Sequence, residues 1–468
     1  MQGGKKVEVI TVSLLDATNV KIPDTVKYLS RAFEGNIDLK KIFIPKDVVN
    51  TVCAFQNCTN LEQVIFEKGS QLETIGTSTF YSCNGITSVE IPNSVTQIGG
   101  SAFADCTNLT NVNFDNCTNL TSIGDYAFEY CSKLTSITIP ASVNSIGNRI
   151  FSYSGLENIT FEQNSVLTTI GEYAFARCYK LIEILLPASV TTMGNNAFYS
   201  CDLLENVMFE EGCLLSEIGK KTFYSCSNLR GITVPANVKK IGNEAFAYCT
   251  RMTSFNLEPG SILERIEDYA FSRNRFSSDG PKLKGDILIP KTVKYIGDGV
   301  FGGDDITSIT FEPGSQLKTI AYNAFKGCLI TEIEIPEGVT SISNAFSECL
   351  LLKSVKLPST LTGSVSFYRC CNLAEINIPE GVTQVGFGYC YNLKNVELPS
   401  TLTTIDSYAF MDTSITKIRI PAGVKTINIA AFTYTNAEIT FESGFKPKTI
   451  GQSAFDDCNG FVADDFGF

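Results

Sequence analysis

Apolar and polar positions alternate along this chain in one phrase that recurs with edits. Residues 127–147, AFEYCSKLTSITIPASVNSIG, show it whole. Leu134, Ile137 and Ile139 set the spacing L-x-x-I-x-I, and the last two alternate with polar residues, which is the period of a half-buried strand. Aligned on the phenylalanine of the AF pair, the phrase occurs about nineteen times, from Phe33 to Phe455, mostly 20 to 25 residues apart. One copy is too short to bury its own apolar side, but stacked copies bury one another. The pattern therefore predicts a solenoid: a long parallel sheet on one face, short strands and turns on the other, mostly β with little helix.

The punctuation of the phrase supports this reading. Proline falls directly after the strand, as at Pro92, Pro140, Pro187 and Pro421, where its missing N–H stops a ladder. Glycine follows the second isoleucine, as at Gly147 and Gly171, where a side chain is expected to crowd the neighbouring backbone. The AFxxC stretch is too short for a full helix and reads as one helical or 3₁₀ turn. Shorter copies end their strand in proline, and longer ones in an acidic, glycine-containing corner. From Phe55 to Phe246 the two-turn unit is nearly constant at 47 or 48 residues. The L-x-x-I-x-I strand is the signature of leucine-rich repeats, and residues 1–468 are expected to form one continuous solenoid of that kind. Residues 1–22 would be its first strand or cap, and the stretch NRFSSDGPKLKG within 274–285 an irregular insertion loop.

Composition removes several classes of chemistry. There is no histidine, hence no Ser-His or Cys-His nucleophile pair and no His-ligated zinc, and there is no tryptophan. The net charge of −12 disfavours nucleic acid, whose affinity comes largely from Lys and Arg. No run of ~18 apolar residues is present, so no direct membrane insertion is expected. No catalytic residue, cofactor or metal is expected, and the chain reads as a monomer or weak oligomer.

Thirteen of the seventeen cysteines stand three residues after the repeat phenylalanine: Cys58, Cys83, Cys106, Cys131, Cys178, Cys201, Cys226, Cys249, Cys328, Cys349, Cys370, Cys390 and Cys458. They predict an internal column, for which three roles compete. Disulfides between turns suit parallel side chains poorly. Zinc is disfavoured because no C-x-x-C occurs. A small, weakly polar core side chain fits best, and accommodates Ser154 and Thr413 at the same position. Cys53, Cys117, Cys213 and Cys371 fall outside this register.

The phrase AFxxCxxLxxIxIPxxVxxIG, whole in 127–147 and nearly whole in 79–99, resembles the BspA-like leucine-rich repeats, from about Val20 to Phe461. The resemblance implies a surface protein that adheres to host matrix proteins or to other cells, and it carries over no catalytic or ligand residue. It also implies a secreted or surface location, with export and anchoring segments outside this chain. A cytoplasmic repeat scaffold is the alternative, since a reducing compartment tolerates many thiols. Turns between Phe325 and Phe387 shrink to 20–21 residues and lose the IG corner. Both ends lack an obvious polar cap, so the chain is expected to be a piece of a larger protein or a mature form.

A protein or glycan partner would meet the residues that point outward between the strand apolars. Asn111, Asn113, Asn158, Glu183, Leu185, Asn206 and Met208 are the candidate contacts, with Leu185 and Met208 an apolar pair set against ordinary isolated surface apolars. Tyrosines around AFxxC, among them Tyr126, Tyr130, Tyr153, Tyr173 and Tyr199, form a second candidate row, set against simple cover for the outer wall. Glu67, Glu162, Glu210, Glu258, Glu312 and Glu442 recur every second turn. One carboxylate per corner falls short of a calcium shell, and a solvated charge row is expected.

Overall fold

The computed structural model describes residues 19–115, 117–272 and 283–458. Nearly all of the 1–22 segment and most of the 274–285 insertion lie outside them. The chain divides into two compact units, Met1–Pro235 and Ala236–Phe468. Each is a parallel β-solenoid, about nineteen turns in all.

In the first unit the L-x-x-I-x-I strands alternate outward and inward as their polarity dictates. Ser136–Ile139 and Glu183–Leu186 both run exposed, buried, exposed, buried. The predicted sheet on this face is not one unbroken ladder. It is cut into Asn19–Lys21 with Lys41–Ile44 and Gln63–Phe66, then the pairs Ser88–Glu90 with Asn111–Asn113, Ser136–Ile139 with Asn158–Phe161, and Glu183–Leu186 with Asn206–Phe209. Proline explains the cuts. From a shorter to a longer turn, the residue after the strand donates across: Glu67 N–H to the Ile44 carbonyl at 3.0 Å, and Glu210 N–H to that of Leu186 at 2.9 Å. From a longer to a shorter turn the same position is Pro92, Pro140 or Pro187, which has no N–H to give. The continuous sheet is instead on the IG side, where eight two- or three-residue strands from Tyr28–Ser30 to Thr192–Met193 pair in order. The glycine after the last six of these strands is needed for close approach: a Cβ on Gly147 would stand 2.4 Å from the Asp125 nitrogen.

The second unit repeats the scheme. Lys240–Ile241, Arg265–Ile266, Tyr295–Ile296 and Thr319–Ile320 pair in parallel, as do the strands from Ser364–Ser366 to Thr449–Ile450. The turns that lose the IG corner keep this side as three-residue strands, Ser364–Ser366 and Gln384–Gly386. After the insertion, Lys284–Ile289 pairs with Asp305–Phe311, with a register shift between Gly285 and Asp286.

The AFxxC stretch corrects the expectation of a helical or 3₁₀ turn: none of the described residues is in a helix. In the turn of Phe128, Tyr126 and Tyr130 both have φ of 60°. Left-handed residues on either side of the phenylalanine turn alternate N–H groups sideways. Tyr126, Phe128 and Tyr130 donate to Asn148, Ile150 and Ser152 of the next turn at 2.7, 2.8 and 3.0 Å. Ala127, Glu129 and Cys131 donate within their own turn, to Gly124, Tyr126 and Phe128. A helix would spend all six inside one segment.

The interior is a phenylalanine stack. Phe55 and Phe80 are 5.3 Å apart with rings 7° from parallel, and Phe103 and Phe128 are 5.4 Å apart at 3°. The cysteine column lies beside it. The thiol of Cys106 donates to the Phe80 carbonyl one turn back at 3.1 Å, and that of Cys131 to Phe103 at 3.2 Å. None of the seventeen cysteines is in a disulfide, with Cys371 and Cys458 half-buried and the rest buried. The four cysteines outside the register are placed too. Cys53 is the left-handed residue before Phe55. Cys117 and Cys213 sit in the corners after the strands, donating backbone N–H to Phe114 and Glu210 at 2.8 and 3.2 Å. Cys371 follows Cys370 at a turn edge.

Candidate partner-binding surfaces

Two outer surfaces of the first unit carry the candidate contacts. On the strand face, parallel register brings Glu183 beside Asn206 and Leu185 beside Met208. Leu185 is 47% exposed and Met208 43%. Their strands bury Ile184, Leu186 and Val207 on the other side, with Phe209 half-buried, so the outward apolar pair is held on an ordered sheet. Asn158 stands beside Ser136, and Asn111 beside Ser88. Asn113 shares the face but is engaged locally, its Oδ1 accepting the Asp115 N–H at 2.7 Å. A second outward apolar pair, Phe43 beside Ile65, lies in Lys41–Ile44 and Gln63–Phe66. Nothing in its composition distinguishes it from Leu185 and Met208, and it was not among the predicted contacts.

Where proline cuts the ladder the surface opens into a shallow groove. One of about 660 Å³ is lined by Ile65, Glu67, Gly69, Glu90, Pro92 and Asn119. The second unit repeats it at Pro290 and at Pro336.

The acidic corners are not a free charge row. In each, one carboxylate oxygen accepts the backbone N–H of the residue after proline in the preceding turn: Glu67 from Lys46 at 2.8 Å, Glu162 from Ala141, Glu210 from Ala188 and Glu258 from Ala236 each at 2.9 Å, Glu312 from Lys291 at 3.0 Å and Glu442 from Ala422 at 3.1 Å. In the compact turns the sense is reversed, with Glu337 and Glu380 receiving both N–H and hydroxyl of Ser359 and Ser400. These contacts hold the Glu380 carboxyl below its usual range. The partner of each glutamate is some twenty residues away, so no local motif announces the role.

The second surface is the turn wall. Tyr130 and Tyr153 stack at 4.9 Å, and Tyr199 and Tyr224 at 5.1 Å. Arg149 lies 4.8 Å over the Tyr173 ring, and Arg177 lies 5.0 Å from Tyr153 and 5.9 Å from Tyr199. Tyr126 and Tyr130 are exposed, while Tyr153, Tyr173 and both arginines are half-buried. The arginines were not among the predicted contacts. They occupy the same two repeat positions as the tyrosines, and that alternation was the available signal.

The interior offers no reactive group. Burial pushes the thiols of Cys106 and Cys178 up to about 12 and that of Cys58 to about 11, which keeps them protonated. Among the described residues no group of three or more Cys, Asp or Glu is arranged to hold a metal ion. No helix among them is long and apolar enough to cross a membrane.

Comparison with known proteins agrees with this architecture. A family model described as BspA type leucine rich repeat region matches in six copies, over residues 13–120, 51–167, 106–214, 156–278, 274–387 and 363–462. No curated protein matches. Among solved structures, a leucine-rich repeat protein from Bacteroides ovatus is 23% identical, with 81% of this chain and 88% of that one covered and a TM-score of 0.48. A leucine rich cell surface protein from Faecalibacterium prausnitzii is 20% identical, with 92% and 89% covered and a TM-score of 0.38. The pneumococcal vaccine antigen PcpA is 19% identical, with 92% of each chain covered and a TM-score of 0.37.

Proposed function

Because this chain belongs to the family of BspA type leucine-rich repeat regions, we propose that it is a non-catalytic binding module, displayed on a bacterial surface, that adheres to host matrix or to other cells. Its partner is a protein or glycan seated on the strand face. The observation that carries the reading is the Leu185–Met208 pair. Two large apolar side chains stand side by side and exposed on strands whose other residues obey strict alternation. A solvated face gains nothing from them, whereas burial against a partner stabilises each by about 1.5–3 kcal/mol. The flanking Glu183 and Asn206 supply the polar rim such a contact needs.

The test is a binding screen of the full chain against immobilised matrix proteins and glycans. The L185D/M208D double variant is expected to bind the partner found at least roughly tenfold more weakly while unfolding at the same temperature. Equal binding by the two forms contradicts the strand-face assignment. Antibody against the chain should label intact source cells, and labelling only after lysis removes the surface location and favours an interior scaffold.

A further inference from the structure

On the turn wall of the first unit, two repeat positions carry only tyrosine or arginine through three successive turns. Two residues before the phenylalanine stand Tyr126, Arg149 and Tyr173, and two residues after it stand Tyr130, Tyr153 and Arg177. All six have φ between 52° and 60°. That conformation costs a side-chain-bearing residue roughly 1–2 kcal/mol, and glycine or asparagine meets it more cheaply. Elsewhere the chain does use the cheaper residues at these positions, as at Gly303, Gly327, Asn57 and Asn344. The backbone therefore does not require tyrosine or arginine there.

The two guanidiniums are held in place yet chemically unspent. Each lies over a tyrosine ring and is half-buried. Among the described residues neither has a carboxylate oxygen within 4.0 Å or donates a side-chain hydrogen bond. A guanidinium that donates no hydrogen bond within the protein keeps its N–H fork free, and that fork matches a carboxylate or sulfate. Tyr130 and Tyr153 stack on each other, Tyr130 exposed and Tyr153 half-buried. The wall thus offers free N–H donors, with the Glu129 carboxylate the neighbour that Arg149 acts on through space.

We infer that this wall binds an anionic polysaccharide, whose carboxylate or sulfate groups are received by Arg149 and Arg177. The spacing favours a sugar polymer over an acidic peptide. Tyr130 and Tyr153 recur at 4.9 Å, close to the length of one pyranose unit in an extended chain. Same-side residues of an extended peptide recur at ~6.7 Å and fall out of step. The inference rests on the reading of the chain as a binding module, but uses a different face from Leu185 and Met208.

The experiment measures binding of the full chain to polygalacturonate and to chondroitin sulfate, with neutral dextran and poly-glutamate as controls. Wild type is expected to bind at least one of the two anionic glycans, to ignore dextran, and to weaken as salt rises. R149Q/R177Q should weaken binding by roughly tenfold or more per guanidinium with unchanged thermal unfolding. R149K/R177K, which keeps the charge and loses the fork, should fall in between, and decides the question if the glutamine variant does not fold. L185D/M208D alters the other face and separates the two readings: glycan binding lost there and kept in R149Q/R177Q places the glycan on the strand face and overturns this inference. The inference is overturned if wild type binds neither anionic glycan, if binding is insensitive to both arginine variants, or if poly-glutamate binds as tightly.

Discussion

The carbonyl of Phe80 accepts two hydrogen bonds, from the Cys83 N–H of its own turn at 3.1 Å and from the Cys106 thiol of the next at 3.1 Å. That second bond is why cysteine recurs. The site needs a side chain small enough for a column beside stacked rings, with one weak donor. Ser154 and Thr413 fill the same space with other bonds, Ser154 with its hydroxyl 3.4 Å from the Cys178 sulfur of the next turn and Thr413 donating to the Phe410 carbonyl of its own turn at 2.9 Å. The column and its packing role were legible because the cysteine keeps a fixed distance from the phenylalanine. Its acceptor was not, because it lies a whole turn away. A pH dependence follows. Burial raises the folded-state thiol pKa, to about 12 at Cys106 and Cys349 and about 11 at Cys58. The native state thus holds protons that the unfolded chain releases first. This stability is fully present below the ordinary thiol pKa near 8.5 and is lost as pH rises through the folded values. Denaturant midpoints measured from pH 8 to 11 should fall, by about 1.4 kcal/mol per pH unit for each thiol titrating in the unfolded chain alone. The Cys106→Ser variant should lose one such contribution, and a flat profile would show that the thiols are not buried as described.

At the scale of the element, strand and corner were legible and the turn wall was not. Alternation and proline are local signals, so Ser136–Ile139 and the stop at Pro140 follow from the residues themselves. The AFxxC segment misleads because Tyr126, Tyr130, Arg149 and Arg177 occupy left-handed positions without the glycine or asparagine that marks them. Spacing alone then resembles a helical turn. The breaks in the strand-face ladder were missed for a related reason. Proline was read as the end of a strand, whereas its larger effect is to withhold the N–H owed to the preceding turn. Glutamate corners answer the proline turns by capping the next N–H, which gives the alternation of shorter and longer copies a physical basis. The Glu162→Ala variant should therefore cost about 1 kcal/mol by loss of the cap on Ala141. Glu162→Gln, which keeps an acceptor oxygen, should cost less. Thermal unfolding of both checks this, and equal, negligible effects would return Glu162 to a solvated charge row.

At the scale of the molecule, the account divides the labour between interior and exterior. Phenylalanine and cysteine columns, glycine corners and carboxylate caps meet the structural demands of every turn. The outward strand positions and the tyrosine–arginine columns are left free to vary, and it is there that both proposed contacts sit. On the strand face of the second unit the same freedom is spent differently: Lys417 pairs with Glu438 at 2.9 Å and Arg419 with Glu442 at 3.5 Å, so these cations are already engaged. Which outward residues are candidates was only partly legible, because Leu185 and Met208 stand out in alternation no more than Phe43 and Ile65, while Asn113 is indistinguishable by sequence from asparagines that do not close their own corner. All of this depends on the column thiols lying inside, protonated and outside any disulfide. Counting them with an aromatic disulfide reagent, without reductant, tests it most directly. The account predicts that Cys371 reacts first in the native protein, followed by Cys458, and that all seventeen react after unfolding. Rapid native reaction of several column thiols, or fewer than seventeen after unfolding, would contradict it.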